Sequence, residues 1–243
     1  MRLDKFLADS GFGSRKEVKK LINQGSVTIN ETTAKKPNAQ IDPYQDTIAY
    51  LGDPIHYQAC YYVLLNKPDG IISATEDREH ETVIDWVALD YHHVDLFPVG
   101  RLDIDTTGLL LLTNNGQLSH QLLSPKKKVP KTYHALIDGI VTQDDIEAFD
   151  KGLNLGDFTT QPALLKIDEV DEEMNQTAIQ VTIYEGKFHQ VKRMFEAVGK
   201  TVLQLHRHSM GPLELDSELA IGEYRELTDR EKQLLIPYGL IDK

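Results

Sequence analysis

The chain has 243 residues, 40% of them hydrophobic and 26% charged, which suits a globular protein with one large domain or a small domain joined to a larger one. No run approaches the roughly 18 apolar residues of a membrane span, and Met1-Arg2-Leu3-Asp4-Lys5 lacks the apolar core of a secretory signal. The single cysteine, Cys60, rules out an internal disulfide and a cysteine-based metal site, so a cytoplasmic, monomeric protein with no membrane partner is expected.

A net charge of −12 argues against a surface that coats nucleic acid all round, but exposed charges are screened beyond about 8–10 Å, so a local basic face remains possible on an acidic protein. The charges are segregated. Acidic residues crowd 144–173 and 214–231, whereas basic residues gather at Arg15, Lys16, Lys19 and Lys20, at Lys126, Lys127, Lys128 and Lys131, and at Lys187, Lys192, Arg193, Lys200 and Arg207. One face turned toward a polyanion, and another kept clear of it, is the expected result.

In chain order, Leu3, Phe6 and Leu7 have helical spacing, and Gly11 and Gly13 end that helix. Ser14-Arg15-Lys16-Glu17 reads as a capping box opening a second helix to Asn23 or Gln24, with Val18, Leu21 and Ile22 as its apolar stripe and Arg15, Lys16, Lys19 and Lys20 on the opposite side. Gly25 ends it; Val27 and Ile29 alternate as a strand, Asn30-Glu31 turns, and 48–51 supplies another strand. Residues 2–7, 14–16 and 22–30 together resemble the S4 RNA-binding domain. The resemblance implies that Arg15, Lys16, Lys19 and Lys20 meet RNA phosphates, positioning the nucleic acid without reading its sequence.

Gly52-Asp53-Pro54 punctuates the chain, and the linker is placed there, dividing an N-terminal module of residues 1–58 from a larger domain of residues 59–243. In the larger domain, 62–65 reads as a strand closed by the turn-rich Asn66-Lys67-Pro68-Asp69-Gly70. Residues 109–112 form an apolar run expected to be a buried strand ended by a tight turn at Asn114-Asn115-Gly116. Residues 132–137 and 178–183 read as strands, 192–198 as a helix and 200–205 as a following strand. The fold class is α+β, with the strand order left open.

The densest signal is Gly100-Arg101-Leu102-Asp103-Ile104-Asp105-Thr106-Thr107-Gly108, leading into the apolar run. A carboxylate between a glycine-bounded loop and a buried strand is well placed to project into a cleft from a rigid support; a plain turn with surface aspartates is the alternative. Asp103-Ile104-Asp105-Thr106-Thr107 also fits the D-x-D-x-T pattern of haloacid-dehalogenase-type phosphatases. Against that, Gly100 and Arg101 interrupt the preceding apolar run, and no downstream lysine with paired carboxylates for Mg²⁺ can be placed. His92-His93 and His206-x-His208 lack supporting ligands, so no metal is expected.

The whole string, through Leu109-Leu110-Leu111-Leu112-Thr113-Asn114, resembles the catalytic motif G-R-L-D-x-D-T-x-G-L-L of the pseudouridine synthases of the RsuA/RluA superfamily. Pro130-Lys131-Thr132-Tyr133 resembles the family's K-x-Y motif, and 185–194, from Glu185-Gly186-Lys187 to Lys192-Arg193-Met194, its third motif. Leu205-His206-Arg207 and the segments up to Thr228 are also similar, so the likeness covers nearly the whole chain and is nearest to the RsuA type.

The resemblance implies a mixed, largely antiparallel sheet and isomerisation of uridine to pseudouridine in ribosomal RNA, at uridine 516 of the small-subunit (16S) RNA. A large-subunit paralogue, or a non-catalytic rRNA-binding assembly protein, stays open as the alternative. The reaction moves the base from N1 to C5 attachment with no net redox change, so no cofactor is expected. Asp103 is implied as the nucleophile, attacking the sugar C1′ or the uracil ring. It must stay ionised in an enclosed site, and Lys192 is implied as the cation that keeps it so. Tyr133 is implied as the tyrosine that stacks on the base and helps remove the C5 proton. A uridine in folded RNA must first leave its stack. Arg101 either fills the vacated space or contacts the flipped nucleotide's phosphate, or else holds the Asp103 loop by a salt bridge, and Leu205 is either an apolar wall for uracil or an ordinary core leucine. Lys187, His189 and Arg193 are expected RNA contacts, and the partner is ribosomal RNA or an assembling ribosomal subunit.

Overall fold

A computed structural model describes residues 1–241. Among the described residues the chain forms two compact units, Met1–Tyr61 with Val87–Leu96, and Tyr62–Trp86 with residues 97–241. The inclusion of Val87–Leu96 in the first unit makes the division discontinuous, which a single boundary near residue 58 does not express.

In the first unit, α1 (Leu3–Asp9) and α2 (Arg15–Asn23) precede β1 (Val27–Ile29), β2 (Thr32–Thr33), β3 (Ile48–Tyr50) and β4 (Asp53–Ile55). The strands make an antiparallel sheet in the order β2-β1-β3-β4. The capping box is present: Ser14 N donates to Glu17 Oε2 at 2.8 Å and Glu17 N to Ser14 Oγ at 3.4 Å. Leu3, Phe6 and Leu7 of α1 pack with Val18 and Ile22 of α2 and with Val27 and Ile48 of the sheet, which leaves Arg15, Lys16, Lys19 and Lys20 exposed. The linker expected at Gly52-Asp53-Pro54 is instead a hairpin. Leu51 (φ 52°) and Gly52 (φ 96°) supply the two left-handed residues of a tight turn, and Asp53 pairs with Tyr50. Pro54 is tolerated because β4 is an edge strand, where a missing amide donor leaves no neighbour unpaired.

The second unit is built on a nine-stranded mixed sheet. Its elements are β5 (Tyr62–Lys67), α3 (Val83–Tyr91, shared with the first unit), β6 (Phe97–Pro98), β7 (Thr106–Thr113), α4 (Gly116–Leu123), β8 (Lys131–Asp138), α5 (Gln143–Lys151), β9 (Leu164–Asp171), β10 (Gln176–Ile183), α6 (Gln190–Ala197), β11 (Thr201–Met210), β12 (Leu213–Glu214), β13 (Tyr224–Glu226) and α7 (Asp229–Leu235). The strand order is β13-β5-β7-β11-β8-β10-β9, with β6 on β7 and β12 on β11. Among the pairs of strands in the described residues only β7–β11 is parallel, so the sheet is largely antiparallel, as expected. Leu109, Leu110, Leu111 and Leu112 are fully buried because β7 lies between β5 and β11.

The segment Asn114-Asn115-Gly116 is not a tight turn. Asn115 caps α4, its side chain accepting from Leu118 N at 3.1 Å, which is a role asparagine fills well because its carbonyl satisfies an otherwise unpaired helix amide. The acidic stretch 144–173 folds into α5 and the exposed edge strand β9, where charged side chains discourage edge-to-edge pairing. No helix among the described residues is long and apolar enough to cross a membrane.

Candidate active site

The loop 100–105 between β6 and β7 carries the candidate nucleophile, and several groups fix its backbone. Ser73 Oγ donates to Leu102 O and accepts from Leu102 N, both at 3.0 Å, and Gly70 N donates to Ile104 O at 3.0 Å. Lys67, at the end of β5 and fully buried, donates its ammonium to the carbonyls of Pro68 (2.9 Å), Ile104 (3.2 Å) and Thr106 (3.0 Å). Three donors meet three acceptors. Burial pushes this lysine down to about 8, opposed by the charges of Asp69, Asp105 and Asp103. In the sequence Lys67 looks like part of a turn, and no local pattern marks it as buried.

Gly108, two residues into β7, explains the glycine in the motif. A β-carbon there would lie 2.3 Å from Arg207 O, and its φ is +103°. The parallel strands β7 and β11 meet at this point, with Leu205 opposite Thr106 and Arg207 opposite Gly108. Since β8 pairs with β11 so that Arg207 faces Tyr133, the register brings Tyr133, Leu205 and Arg207 together below the Asp103 loop.

Two connected recesses open there. An outer cleft of about 1200 Å³ is lined by Arg101, Asp103, Asp105, Lys131, Lys187, Phe188, His189 and Lys192, with parts of the 72–77 segment. A smaller pocket of about 110 Å³ is lined by Asp103, Thr106, Lys131, Tyr133, Leu205 and Arg207, together with Arg101, Lys187, His189 and Lys192. Asp103, 28% exposed, has His189 Nε2 3.5 Å from one carboxylate oxygen and Lys192 Nζ 3.6 Å from the other. Lys192, in the first turn of α6, is held more tightly by Asp105, at 2.6 and 2.7 Å, and that hydrogen-bonded ammonium keeps Asp105 below the usual carboxylate range. Lys192 is thus shared by two carboxylates, with Asp105 fixing it and Asp103 left free of a short hydrogen bond to it.

The remaining expected residues divide. Tyr133 and Leu205 are both buried and line the smaller pocket. Arg101 is exposed at the mouth and makes none of the salt bridges that would hold the loop, so the ion-pair alternative is not met among the described residues. Lys187 lies over the Phe158 ring at 5.8 Å, and His189 stacks on the exposed ring of Phe188. Arg193 lines neither recess; its guanidinium donates to Leu155 O at 3.0 Å, pairs with Asp157 and covers Phe158. That arginine, expected at the RNA, instead ties α6 to the 155–158 turn. Lys126, Lys127 and Lys128 are exposed after α4. His206 Nδ1 lies 2.9 Å from Thr107 Oγ1, and His208 stacks on His134, so the His206-x-His208 pair has packing partners on the far face of the sheet.

A carboxylate flanked by two basic groups, over a pocket with an aromatic and an aliphatic wall, can attack or receive a carbon electrophile beside a planar ring. Residues 61–197 match the RNA pseudouridylate synthase family, and residues 1–44 match the S4 domain. The chain belongs to the RNA pseudouridylate synthase family. It is 48% identical over 236 residues to an uncharacterized RNA pseudouridine synthase of Bacillus subtilis (97% of this chain, 98% of the relative). To the ribosomal small subunit pseudouridine synthase A of Escherichia coli K12 it is 40% identical over 238 residues (95% and 98%). A crystal structure of a pseudouridylate synthase superposes with a TM-score of 0.64 at 37% identity, covering 97% of this chain and 99% of that one. The synthase is therefore an isomerase with an S4 domain at its N-terminus, and the α+β sheet carrying Asp103 is the family's catalytic fold.

Proposed function

We propose that this synthase converts a uridine of ribosomal RNA to pseudouridine, at uridine 516 of the small-subunit RNA, with Asp103 as nucleophile. The observation that carries the reading is the position of the Asp103 carboxylate, between His189 and Lys192 and directly over a pocket walled by Tyr133 and Leu205. The small-subunit target is supported by 40% identity over nearly full length to enzymes named for that subunit.

Uridine leaves its stack and enters the outer cleft, where Arg101, Lys187 and His189 meet the RNA backbone although Glu76, Asp77 and Glu185 line the same cleft. Lys192, oriented by Asp105, stands beside the attacking carboxylate of Asp103 as its neighbouring cation. Tyr133 packs against the base and assists loss of the C5 proton, and Leu205 supplies the apolar wall. In the first unit, Arg15, Lys16, Lys19 and Lys20 bind phosphates and hold the RNA. The reaction is an internal rearrangement and calls on no cofactor.

Two measurements test this. Asp103→Asn abolishes tritium release from C5-labelled uridine in rRNA while leaving RNA affinity largely intact; full turnover by the variant removes Asp103 from the mechanism. Pseudouridine mapping in a strain without the gene shows loss at small-subunit position 516 alone, and loss at a large-subunit position instead reassigns the target.

A further inference from the structure

The smaller pocket holds a group of polar residues that the roles above leave unused. Arg207, only 2% exposed, donates its Nε to Leu109 O at 2.8 Å. Its Nη2 is buried with no hydrogen-bond partner, and so is Thr106 Oγ1. Lys131, also buried, has one hydrogen bond, to Val129 O at 3.1 Å. Neither cation belongs to an ion pair among the described residues, and they are near enough that Arg207's charge reinforces the lowering of Lys131 by burial, to about 8. All three residues line the pocket with Asp103, Tyr133 and Leu205.

A buried donor without an acceptor costs about 1–3 kcal/mol, and more when charged; two buried cations without a carboxylate add a further penalty. A purely structural Arg207 would need only its Nε, which anchors β11 to β7. The bare Nη2, the unpaired hydroxyl and the second cation describe a site that lacks its acceptor. What completes it carries acceptor oxygens on a flat ring and takes up negative charge.

We propose that Arg207, backed by Lys131 and Thr106, receives the carbonyl edge of the uracil and stabilises the negative charge it holds while detached from the ribose. This rests on the reading of Asp103 as the nucleophile of uridine isomerisation. When the N1–C1′ bond breaks, its electron pair leaves with the base, so C1′ is one pair short and the ring carries one negative charge, spread over N1, O2 and O4. The ring turns, the C5–C6 π pair forms the C5–C1′ bond, and the proton lost from C5 is matched by one gained at N1. Arg207 Nη2 donates to the charged carbonyl throughout, in the manner of an oxyanion-stabilising group. Both routes of attack by Asp103 pass through a negatively charged base, so the assignment does not depend on the route.

The test compares single-turnover consumption of uridine and of 5-fluorouridine in an rRNA transcript that the unaltered enzyme modifies. Fluorine withdraws electron density and stabilises the detached base anion without help, and at C5 it blocks only the final proton loss. Arg207→Gln is expected to slow uridine turnover by about 10²-fold, with RNA affinity and melting temperature near those of the unaltered enzyme, and to lose no more than about a tenth as much on 5-fluorouridine. An equal loss on both substrates, or no loss, overturns the proposal. Should Arg207→Gln not fold, Lys131→Gln decides the matter: a loss of about 10-fold on uridine that shrinks on the fluorinated substrate supports it, and an equal or absent loss refutes it. Asp103→Asn run alongside separates the two readings, since an active Asp103 variant sinks the nucleophile while the substrate dependence of Arg207→Gln still reports on charge in the base.

Discussion

Replacing Lys67 with methionine tests whether the Asp103 loop is held from beneath. The side chain keeps its length and apolar stem, but Pro68 O, Ile104 O and Thr106 O lose their shared donor. Each hydrogen bond to a charged donor contributes about 1.5–3 kcal/mol, whereas removing a buried ammonium returns several kcal/mol of desolvation. The two largely offset, and the net loss is set by carbonyls left without a donor, about 2 kcal/mol. For a chain of this size that lowers the melting temperature by roughly 4–8 °C. Activity suffers more than stability. Ile104 and Thr106 bracket Asp105, Ile104 follows Asp103 directly, and a displacement of about 1 Å at a reacting group costs about 10²-fold in rate. Lys67→Met therefore loses about 10²-fold in single-turnover rate, measured by tritium release, with RNA affinity within about threefold because the rim residues stay in place. A variant that melts as expected yet turns over at the normal rate would show that the loop holds its shape without the ammonium.

Four further outcomes follow from the structure. Asp105→Asn weakens the hold on Lys192, so turnover falls about 10-fold through loss of a positioning group; a pH–rate profile with an unshifted acid limb would show that Asp105 does not influence the charge at the site. Gly108→Ala places a β-carbon against the Arg207 backbone at a positive φ and destabilises the fold by about 3 kcal/mol, read from denaturant unfolding. Neutralising Arg15, Lys16, Lys19 and Lys20 together flattens the slope of log affinity for rRNA against log salt by about 3, and an unchanged slope means that they face only solvent. Finally, Lys67 and Lys131 both sit near 8 when folded against 10.5 when unfolded, so between those values the unfolded chain binds more protons. Their contribution to stability rises as pH climbs from 8 to 10.5, and the rise is smaller in Lys67→Met and Lys131→Met than in the unaltered protein.

The parts of this structure that were legible in the sequence are those in which local chemistry decides the outcome. The Ser14–Glu17 capping box, the alternation of β1 and the apolar run of β7 depend on neighbours a few residues away, and they form as expected. The misreadings arose where one residue type serves two geometries. Gly52-Asp53-Pro54 and Asn114-Asn115-Gly116 both look like punctuation, but the first belongs to a hairpin within a sheet and the second opens a helix. Which it is depends on whether the following segment finds a strand or a helix to pack against, and that is a tertiary matter. The helices α3, α4, α5 and α7 are not evident in the sequence, because their polar faces dilute the apolar period and acidic α5 looks like a solvated stretch. At the site, the motifs bring Asp103, Tyr133, Lys192 and Leu205 to one pocket, but they do not disclose that Lys192 is bound chiefly by Asp105 or that Arg193 ties down a turn. Lys67 and Arg207 were the hardest to see. Nothing in a sequence marks a basic residue as buried, and each is buried by strand pairings, of β5 with β7 and of β11 with β7 and β8, that join segments far apart in the chain.

Those pairings also resolve the tension between an acidic chain and a polyanionic substrate. The carboxylates of 144–173 lie on α5 and β9, at the edge of the sheet away from β7 in strand order, and two of those in 214–231, Asp216 and Glu231, are paired with Arg225 of β13, whereas the cations around Asp103 come from strands and helix ends that converge on β7 and β11. Within the site the basic groups are graded by depth. Arg101 and Lys187 stand at the open cleft, where solvent screens them and a phosphate can replace it. Lys192 and His189 flank the Asp103 carboxylate, and Asp105 fixes Lys192 in position. Lys131 and Arg207 are buried with no carboxylate, where an electrostatic interaction is strongest and water does not compete. Such a gradient suits a substrate whose phosphates are charged at all times but whose base is charged only in transit, since the deepest cations are those that act on the transient charge alone.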